Sequence, residues 1–362
     1  MASDPELIPI RDGEGLDAAR LEAYLHGRLP GAVGPLSIAQ FGGGHANLSY
    51  LLRFGEAEFV LRRPPLGPIA ASSHDMSREH RVLSRLHVVF DLAPQCYLLC
   101  TDPAVIGADF MVMERRRGRV IRGDLPERFL GDPDLARRIG EMMIDCLAAF
   151  HTVDANAAGL GDLGHPEGFV ARQLKGWTER WQKAKDHDDP AMANRSMDRL
   201  IEWLEASCPE SSETTLIHND YKLDNMLVEC DHPAHAVALL DWDMCTRGDP
   251  LMDLGYLLNY WVEPGDPHDW RAAAAMPTWR DGFPSRAEAA LRYGAQTGFA
   301  LNDLLWYRVF GAFKIAVILQ QIHIRWRRGQ TRDQRFADMG TRVATLIEKG
   351  LILAEGQLPD VG

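Results

Sequence analysis

Residues 216–258 read LIHNDYKLDNMLVECDHPAHAVALLDWDMCTRGDPLMDLGYLL. His218, Asp220 and Asn225 follow the pattern H-x-D-x-x-x-x-N, and Asp241 comes sixteen residues later, after the apolar run AVALL. Phosphoryl transfer needs a carboxylate beside the acceptor hydroxyl and oxygen ligands for magnesium. The segment therefore predicts a phosphotransfer site in which Asp220 and Asn225 are catalytic and Asn225 and Asp241 bind the metal.

Each of these residues, taken singly, has a structural explanation. Asp and Asn side chains in loops commonly cap helices or form Asx turns. The whole arrangement is harder to explain in that way, because a strand, a second aspartate and the motif D-P-x-x-D at 249–253 follow the loop in order. A rigid strand ahead of Asp241 is also what a metal ligand requires.

A glycine-rich turn opens a predicted β-hairpin at residues 41–65, FGGGHANLSYLLRFGEAEFVLRRPP. Gly42, Gly43 and Gly44, just before Asn47, would let backbone amides approach nucleotide phosphates without interference from Cβ atoms. A glycine triplet is also common in a simple tight turn. We therefore predict nucleotide contacts at these four positions only in combination with the segment 216–258.

The second strand of the hairpin ends in Val60-Leu61-Arg62. Protein kinases have a lysine here, which contacts the α- and β-phosphates and pairs with a glutamate of the next helix. Arg62 and Glu79 would form the corresponding pair, and a guanidinium prefers a forked contact to carboxylate or phosphate. An ion pair without a ligand is the structural alternative, and Arg63 is the alternative phosphate contact.

The apolar stretches CYLLC and DFMVME predict a further strand pair, after helices at 14–29 and 74–89. Met113, Glu114 and Arg116 come at its end, where kinases bind adenine through backbone groups. Farther along, helical patterns predominate, at 132–152, 168–185, 193–207, 250–261 and 302–328. We therefore predict an α+β protein with an N-terminal nucleotide-binding lobe, residues 1–117, and a mainly helical catalytic and substrate-binding lobe, residues 118–362.

The chain resembles the aminoglycoside phosphotransferase and choline kinase superfamily, whose members are related to protein kinases. It is most similar to the branch that includes the kinase-like domain of acyl-CoA dehydrogenase fusion proteins. Besides the segment quoted above, the resemblance rests on FGGGHANLSYLL, FVLRRPPLG, HDMSREHRVLSRL, FMVMERRRGRV and LAAFHTVDANAAGLGDLG, in this order between residues 35 and 330.

The resemblance implies a two-lobe, protein-kinase-like fold and the cofactors ATP and Mg²⁺. It implies that Asp220 is the catalytic aspartate and that Asn225 and Asp241 hold magnesium. It also implies that His218 and Asp253 support the catalytic loop. The acceptor hydroxyl would belong to a hydroxyacyl derivative, an amino alcohol, a sugar or an aminoglycoside.

The composition of the chain restricts the classes of molecule that it is expected to bind. The 39 basic and 51 acidic residues give a net charge of −12, which disfavours nucleic acid as a partner. No apolar run reaches the roughly 18 to 20 residues that span a membrane, and the acidic N-terminus is unlike a secretory signal. Six scattered cysteines show no zinc-site spacing. We therefore expect a cytoplasmic protein that binds a nucleotide and a small molecule.

Three functions are compatible with these observations. The first is a small-molecule kinase. The second is a pseudokinase, which would bind a nucleotide without turning it over; intact Asp220, Asn225 and Asp241 argue against it. The third is a metal-dependent hydrolase that uses the Asp- and His-rich loop. In a hydrolase without a nucleotide, the pair Arg62 and Glu79 would have no purpose.

Overall fold

The computed structural model describes residues 6–42, 47–65, 75–185, 192–211, 213–273, 276–330 and 336–356. Its N-terminal part contains a six-stranded antiparallel sheet in the order β1-β2-β3-β4-β6-β5. The strands are β1 (Leu7–Ile8), β2 (Leu36–Phe41), β3 (Leu48–Phe54), β4 (Ala57–Arg63), β5 (Cys96–Cys100) and β6 (Phe110–Glu114).

Helices cover both faces of this sheet: α1 (Ala18–Leu25), α2 (Met76–Leu86) and the short α3 (Pro103–Ile106). Successive residues of a strand point to opposite faces. Accordingly, Val112 of β6 packs in the cluster that contains residues of α1, whereas Met111 and Met113 pack in the main core with α2. Helix α2 thereby joins the sheet to the rest of the molecule.

The remainder of the chain is mainly helical. Strand β7 (Arg119–Val120) pairs with β9 (Met226–Val228), which pairs with β10 (Ala236–Leu239), and β8 (Thr215–Ile217) pairs with β11 (Thr246–Gly248). The helices are α4 (Pro133–His151), α5 (Phe169–Ala184), α6 (Met192–Ala206), α7 (Leu251–Tyr260), α8 (His268–Ala273), α9 (Arg286–Thr297), α10 (Leu304–Arg327) and α11 (Met339–Ala354).

Helices α7 and α10 pack closely in the middle of the helical part. A Cβ atom at Gly255 of α7 would lie 2.6 Å from the carbonyl carbon of Tyr307, and one at Gly311 of α10 would lie 2.4 Å from Nδ2 of Asn259. Only glycine permits this approach of the two backbones. The contact fixes the position of α7, which lies directly behind the predicted catalytic loop.

The predicted α+β, protein-kinase-like fold is confirmed. The predicted hairpin and the strand pair form β3–β4 and β5–β6, and the seven predicted helices correspond to α1, α2, α4, α5, α6, α7 and α10. Helices α8, α9 and α11 were not predicted individually. The boundary after Arg117 stays a prediction, although the sheet ends at Glu114 and the next strand belongs to the second part. No helix in the described ranges is long and apolar enough to cross a bilayer.

Candidate active site

Asp220 lies in a short loop between β8 and β9, and donors engage both of its carboxylate oxygens. Nζ of Lys222 lies 2.9 Å from Oδ1 and from Oδ2. Nδ2 of Asn225 donates to Oδ2 at 2.7 Å and to the backbone oxygen of Asp220 at 2.8 Å. The hydroxyl of Tyr256 donates to Oδ1 at 3.0 Å. The predicted catalytic pair, Asp220 and Asn225, is therefore in direct contact.

His218 supports the start of this loop from within the core. It is fully buried, and burial lowers its pKa. The neutral ring donates from Nε2 to the carbonyl of Leu240 at 2.9 Å, and Nδ1 accepts the backbone N–H of Asp220 at 3.3 Å. His218 therefore links the loop to the end of β10, one residue before Asp241.

Asp253, at the start of α7, accepts the backbone N–H groups of His218 at 2.5 Å and Asn219 at 2.7 Å. His151 of α4 lies behind it, with Nε2 at 3.2 Å from Oδ2 and Nδ1 at 2.6 Å from the hydroxyl of Tyr293. Burial alone would raise the pKa of Asp253, but the contacts with the histidines and the backbone outweigh it and hold the pKa below its usual value. The carboxylate thus stays charged beneath the loop.

Two residues of the site, Asn219 (φ 67°) and Asp241 (φ 69°), are the only non-glycine residues in the described ranges with positive φ. Asn219 directly precedes the predicted catalytic residue Asp220, and Asp241 is itself the predicted metal ligand. A left-handed conformation costs about 1 kcal/mol or more for residues with a Cβ atom, and Asn and Asp tolerate it best. Such strain persists where surrounding contacts determine the backbone, as is common at functional sites.

Arg62, Glu79 and Asp241 form a cluster between the sheet, α2 and the end of β10, in which Glu79 is buried and the other two are partly buried. The guanidinium of Arg62 contacts Oδ1 of Asp241, and its Nη1 lies 3.3 Å from Oε1 of Glu79. Burial raises the pKa of Glu79 to about 7, although the charge of Arg62 lowers it. For Asp241, burial is outweighed by Arg62, and the pKa is lowered. The predicted Arg62–Glu79 pair forms and extends to the predicted metal ligand.

Arg63 points to the opposite face of the sheet, as alternation along β4 requires. It is 4% exposed, and its Nη2 lies 3.2 Å from the hydroxyl of Tyr50 and 3.4 Å from the backbone oxygen of Glu14. Of the two candidate arginines, the structure therefore brings only Arg62 to Asp241.

The glycine-rich turn is described in part. Gly43 and Gly44 lie outside the described residues. Gly42 donates its N–H to the carbonyl of Glu6 at 2.8 Å, and a Cβ atom there would lie 2.8 Å from the side chain of Ile8. Packing against β1 thus accounts for glycine at position 42. Asn47 is buried, and neither Oδ1 nor Nδ2 has a hydrogen-bond partner among the described residues.

The predicted adenine-binding positions lie at the end of β6. Met113 is buried and pairs with Val60 of β4 and Cys96 of β5. The N–H of Glu114 donates to the carbonyl of Gln95 at 2.8 Å. Arg116 forms an ion pair with Glu114 at 2.9 Å. The side chains of Glu114 and Arg116 therefore bind each other at the crossing between the two parts of the molecule.

The site also offers oxygen ligands of the kind that magnesium prefers. No group of three or more His, Cys, Asp or Glu side chains within the described ranges could hold a metal alone. Asn225 uses Nδ2 as a donor to Asp220, so its Oδ1 is the atom that could bind a cation. The backbone oxygen of Asn225 accepts the N–H of Leu240 at 2.7 Å, so Asn225 lies next to the residue that precedes Asp241. Magnesium commonly takes one or two protein ligands together with water and nucleotide phosphates. The residues fit a metal that arrives with a nucleotide.

Sequence reasoning missed three residues beside the loop: Lys222, Tyr256 and Lys314. Lys222 could have been noticed, because it lies two positions after Asp220 in the decisive segment. Lys314 interrupts the apolar run GAFKIAVIL of α10. A single lysine in such a run weakly indicates a buried charge with a specific contact. Tyr256 is one of many apolar residues in α7 and gives no signal of its own.

Comparison with known proteins gives a consistent result. A model of the phosphotransferase enzyme family (APH) matches residues 37–292. Acyl-CoA dehydrogenase family member 10 of Mus musculus is 30% identical over 349 residues, covering 95% of this chain and 32% of that protein. Family member 11 of Gallus gallus is 30% identical over 371 residues, covering 98% of this chain and 46% of that protein. The chain thus spans less than half the length of these relatives.

Solved structures match over nearly the whole chain. The crystal structure of a proposed aminoglycoside phosphotransferase from Ralstonia eutropha has a TM-score of 0.80 and 32% identity, covering 94% of this chain and 99% of that one. A thermostable aminoglycoside phosphotransferase, APH(4)-Ia, in a ternary complex with AMP-PNP and hygromycin B, has a TM-score of 0.58 and 18% identity, covering 92% and 99%. At this identity, the second match indicates the fold alone.

Proposed function

The chain belongs to the phosphotransferase enzyme family, and from this premise we propose that it is an ATP- and magnesium-dependent kinase that phosphorylates a hydroxyl group of a small molecule. The observation that carries the proposal is the convergence of Asp220 and Asn225 in one loop, with Asp241 held by Arg62 at the adjacent strand end. Phosphoryl transfer depends mainly on positioning and electrostatic stabilisation, which such an arrangement can supply.

Asp220 would accept the hydrogen bond of the acceptor hydroxyl and take its proton as the bond from the hydroxyl oxygen to the γ-phosphorus forms. The bond between that phosphorus and the oxygen of ADP breaks at the same time, and ADP is the leaving group. Contacts from Lys222, Asn225 and Tyr256 hold both carboxylate oxygens in place. A fixed carboxylate can orient a hydroxyl for in-line attack, since catalysis by positioning requires a narrow range of geometries. Lys222 adds positive charge where negative charge develops during transfer.

Asn225 and Asp241 would hold magnesium, which when bound neutralises charge on the nucleotide phosphates. Arg62 would contact the phosphates, since its guanidinium already lies between Glu79 and Asp241. Asn47, whose buried amide has no partner among the described residues, would complete the nucleotide side together with Gly42, Gly43 and Gly44. Adenine would bind at the strand end formed by Met113, Glu114 and Arg116.

The acceptor would lie beside Asp220, facing the helical part. The candidate acceptors are a hydroxyacyl derivative, an amino alcohol, a sugar and an aminoglycoside. Two ammonium groups, those of Lys222 and Lys314, border the catalytic loop, and they disfavour a polycationic aminoglycoside. The names of the relatives, acyl-CoA dehydrogenase family members, favour a hydroxyacyl derivative.

A metabolite pool incubated with γ-labelled ATP tests the proposal. Wild-type protein should transfer label to a small molecule in the presence of magnesium, and Asp220→Asn should abolish the transfer. Asp145→Asn is the control, because Asp145 binds Arg292 on the surface between α4 and α9. Nucleotide binding without any turnover would support a pseudokinase instead. Phosphate release without a nucleotide would support a hydrolase.

Asp241→Ala provides a second test, of the metal assignment. Removal of this carboxylate should abolish magnesium-dependent nucleotide turnover, because one of the two protein ligands is lost. Full activity of the variant would contradict the assignment. The lobe boundary after Arg117 and the cytoplasmic location of the protein also stay predictions.

A further inference from the structure

Lys314 is a buried cation in the middle of α10, at the junction of α5, α7 and the loop that carries Asp220. It is 6% exposed. Its Nζ donates to the backbone oxygen of Asn219 at 2.7 Å. The same Nζ lies 4.5 Å from the ring centroid of Tyr256 and 5.7 Å from that of Trp177. Burying an ammonium is costly unless its contacts compensate, so the position of this lysine requires a reason.

The contact with Asn219 acts on the peptide bond that precedes Asp220. Asn219 has φ 67°, and its N–H and side-chain amide are held by Asp253 and by the carbonyl of Met244. Lys314 holds the remaining backbone group, the carbonyl. Because a peptide unit is planar, fixing this oxygen also fixes the N–H of Asp220, which points at His218.

The contact with Tyr256 acts on the carboxylate itself. The ammonium lies against the face of the tyrosine ring, 4.5 Å from its centroid, an arrangement that stabilises a desolvated cation. The hydroxyl of that ring donates to Oδ1 of Asp220 at 3.0 Å. Lys314 therefore reaches Asp220 along two routes, one through the backbone and one through Tyr256.

From this geometry we propose that Lys314 is a positioning residue that sets the orientation of Asp220 for phosphoryl transfer. The role rests on the proposed kinase function but is distinct from contact with nucleotide or metal. Helix α10, which is far in sequence from residues 216–258, would thereby hold the catalytic loop in its strained conformation.

Lys349 of α11 is a matched control within the same chain. It is 3% exposed, its Nζ donates to the backbone oxygen of Asn259 at 2.8 Å, and it lies 4.4 Å from the ring centroid of Trp270. Like Lys314, Lys349 is thus a buried lysine that donates to a backbone carbonyl and lies over an aromatic ring. Lys349 donates to α7 rather than to the catalytic loop. Comparing variants of the two lysines therefore distinguishes the loss of a buried lysine from the loss of a contact with the loop.

The experiment compares Lys314→Met, Lys314→Arg and Lys349→Met in two measurements. The first is ATP turnover with magnesium, which gives kcat and KM for ATP. The second is amide hydrogen exchange of the peptide that covers residues 216–225. Lys314→Met should lower kcat by about ten- to a hundredfold, the effect of a small displacement of a catalytic group, with KM for ATP nearly unchanged and with faster exchange in the loop.

Lys314→Arg should recover part of kcat, because a guanidinium also donates to a carbonyl and packs on an aromatic ring. Lys349→Met should change neither kcat nor exchange in residues 216–225. If the methionine variant of Lys314 does not fold, Lys314→Gln, which keeps an amide donor, replaces it in both measurements.

Equal effects of Lys314→Met and Lys349→Met on kcat and on loop exchange would overturn the inference. A loss of kcat without faster exchange in residues 216–225 would overturn it as well. If the wild-type protein shows no nucleotide turnover, the kinase proposal fails. In that case, faster loop exchange in Lys314→Met alone would still support Lys314 as the anchor of the loop, and unchanged exchange would refute it.

Discussion

The guanidinium of Arg62 contacts the carboxylate of Asp241, although 179 positions separate the two residues in the sequence. The first belongs to the central region of the N-terminal sheet, and the second follows β10 in the helical part. Their contact joins the two parts of the molecule at the predicted phosphate and metal site. A nucleotide with magnesium would have to share or replace this contact. Arg62 would therefore couple nucleotide binding to the contact between the N-terminal sheet and the helical part.

Arg62→Ala should raise KM for ATP or the dissociation constant of ATP by about ten- to a hundredfold, because a hydrogen bond to a charged group contributes about 1.5–3 kcal/mol. Titration of ATP binding by calorimetry would measure the change. Arg53→Ala is the control, since Arg53 binds Glu58 at the surface of the same sheet. Unchanged ATP binding in Arg62→Ala would assign the phosphate contact to another side chain.

Asp253→Asn should lower the free energy of unfolding at pH 7 by roughly 2–4 kcal/mol, because an amide cannot accept the N–H groups of His218 and Asn219 on both sides. The wild-type contribution is present above about pH 4, the pKa of an unfolded Asp, and is lost as the pH falls through the lower folded value. Urea unfolding at several pH values measures both effects.

Asp162→Asn is the control for that experiment, because the Asp162 side chain is exposed and forms an ion pair with Arg81 at the surface. It should leave the unfolding curve unchanged. Equal stability of Asp253→Asn and the wild type at pH 7 would show that Asp253 does not hold the loop.

Gly255→Ala should destabilise the protein by about 1–3 kcal/mol, the usual cost of overpacking. The added methyl group would meet the backbone of Tyr307 at 2.6 Å and force α7 away from α10. Gly176→Ala in α5 is the matched control, since the nearest atom is a flexible arginine nitrogen at 3.7 Å. Alanine there should raise stability by about 0.5–1 kcal/mol. Thermal unfolding of both variants tests the packing, and a stabilised Gly255→Ala would contradict it.

Lys349 should make stability depend on pH in the alkaline range. Burial, with the charges of Arg308 and Arg286, lowers its pKa to about 7, whereas an unfolded lysine has a pKa of about 10.4. Between these values the unfolded chain binds the proton and the folded protein does not, so the free energy of unfolding rises with pH. The rise amounts to at most about 1.4 kcal/mol per pH unit for one proton.

Lys349→Met should remove this part of the rise between about pH 7 and pH 10. Chemical denaturation of the wild type and the variant across that range gives the difference. Lys175→Met, a change on the exposed face of α5, should leave the slope as it is. A slope in Lys349→Met equal to that of the wild type would mean that the lysine is charged in both states.

The sequence alone determined the type of site and most of the secondary structure. The pattern of His218, Asp220 and Asn225 identifies the loop because all three lie within eight residues, where chain geometry brings side chains together. Alternation in β3 and β4 and helical periodicity in α2 and α4 are equally local signals. The Arg62–Glu79 pair was predicted because a known kinase pattern connects the strand with the helix that follows it.

The tertiary structure alone decided how distant side chains meet at Asp220. Lys314 lies 95 positions from Asn219, and Tyr256 lies 36 positions from Asp220. At these separations in sequence, helical or strand periodicity gives no indication that two residues are in contact. The packing of α7 against α10 at Gly255 and Gly311 brings these residues to the loop. Such contacts arise from the burial of whole helices, so they depend on the complete fold rather than on any local stretch of the chain.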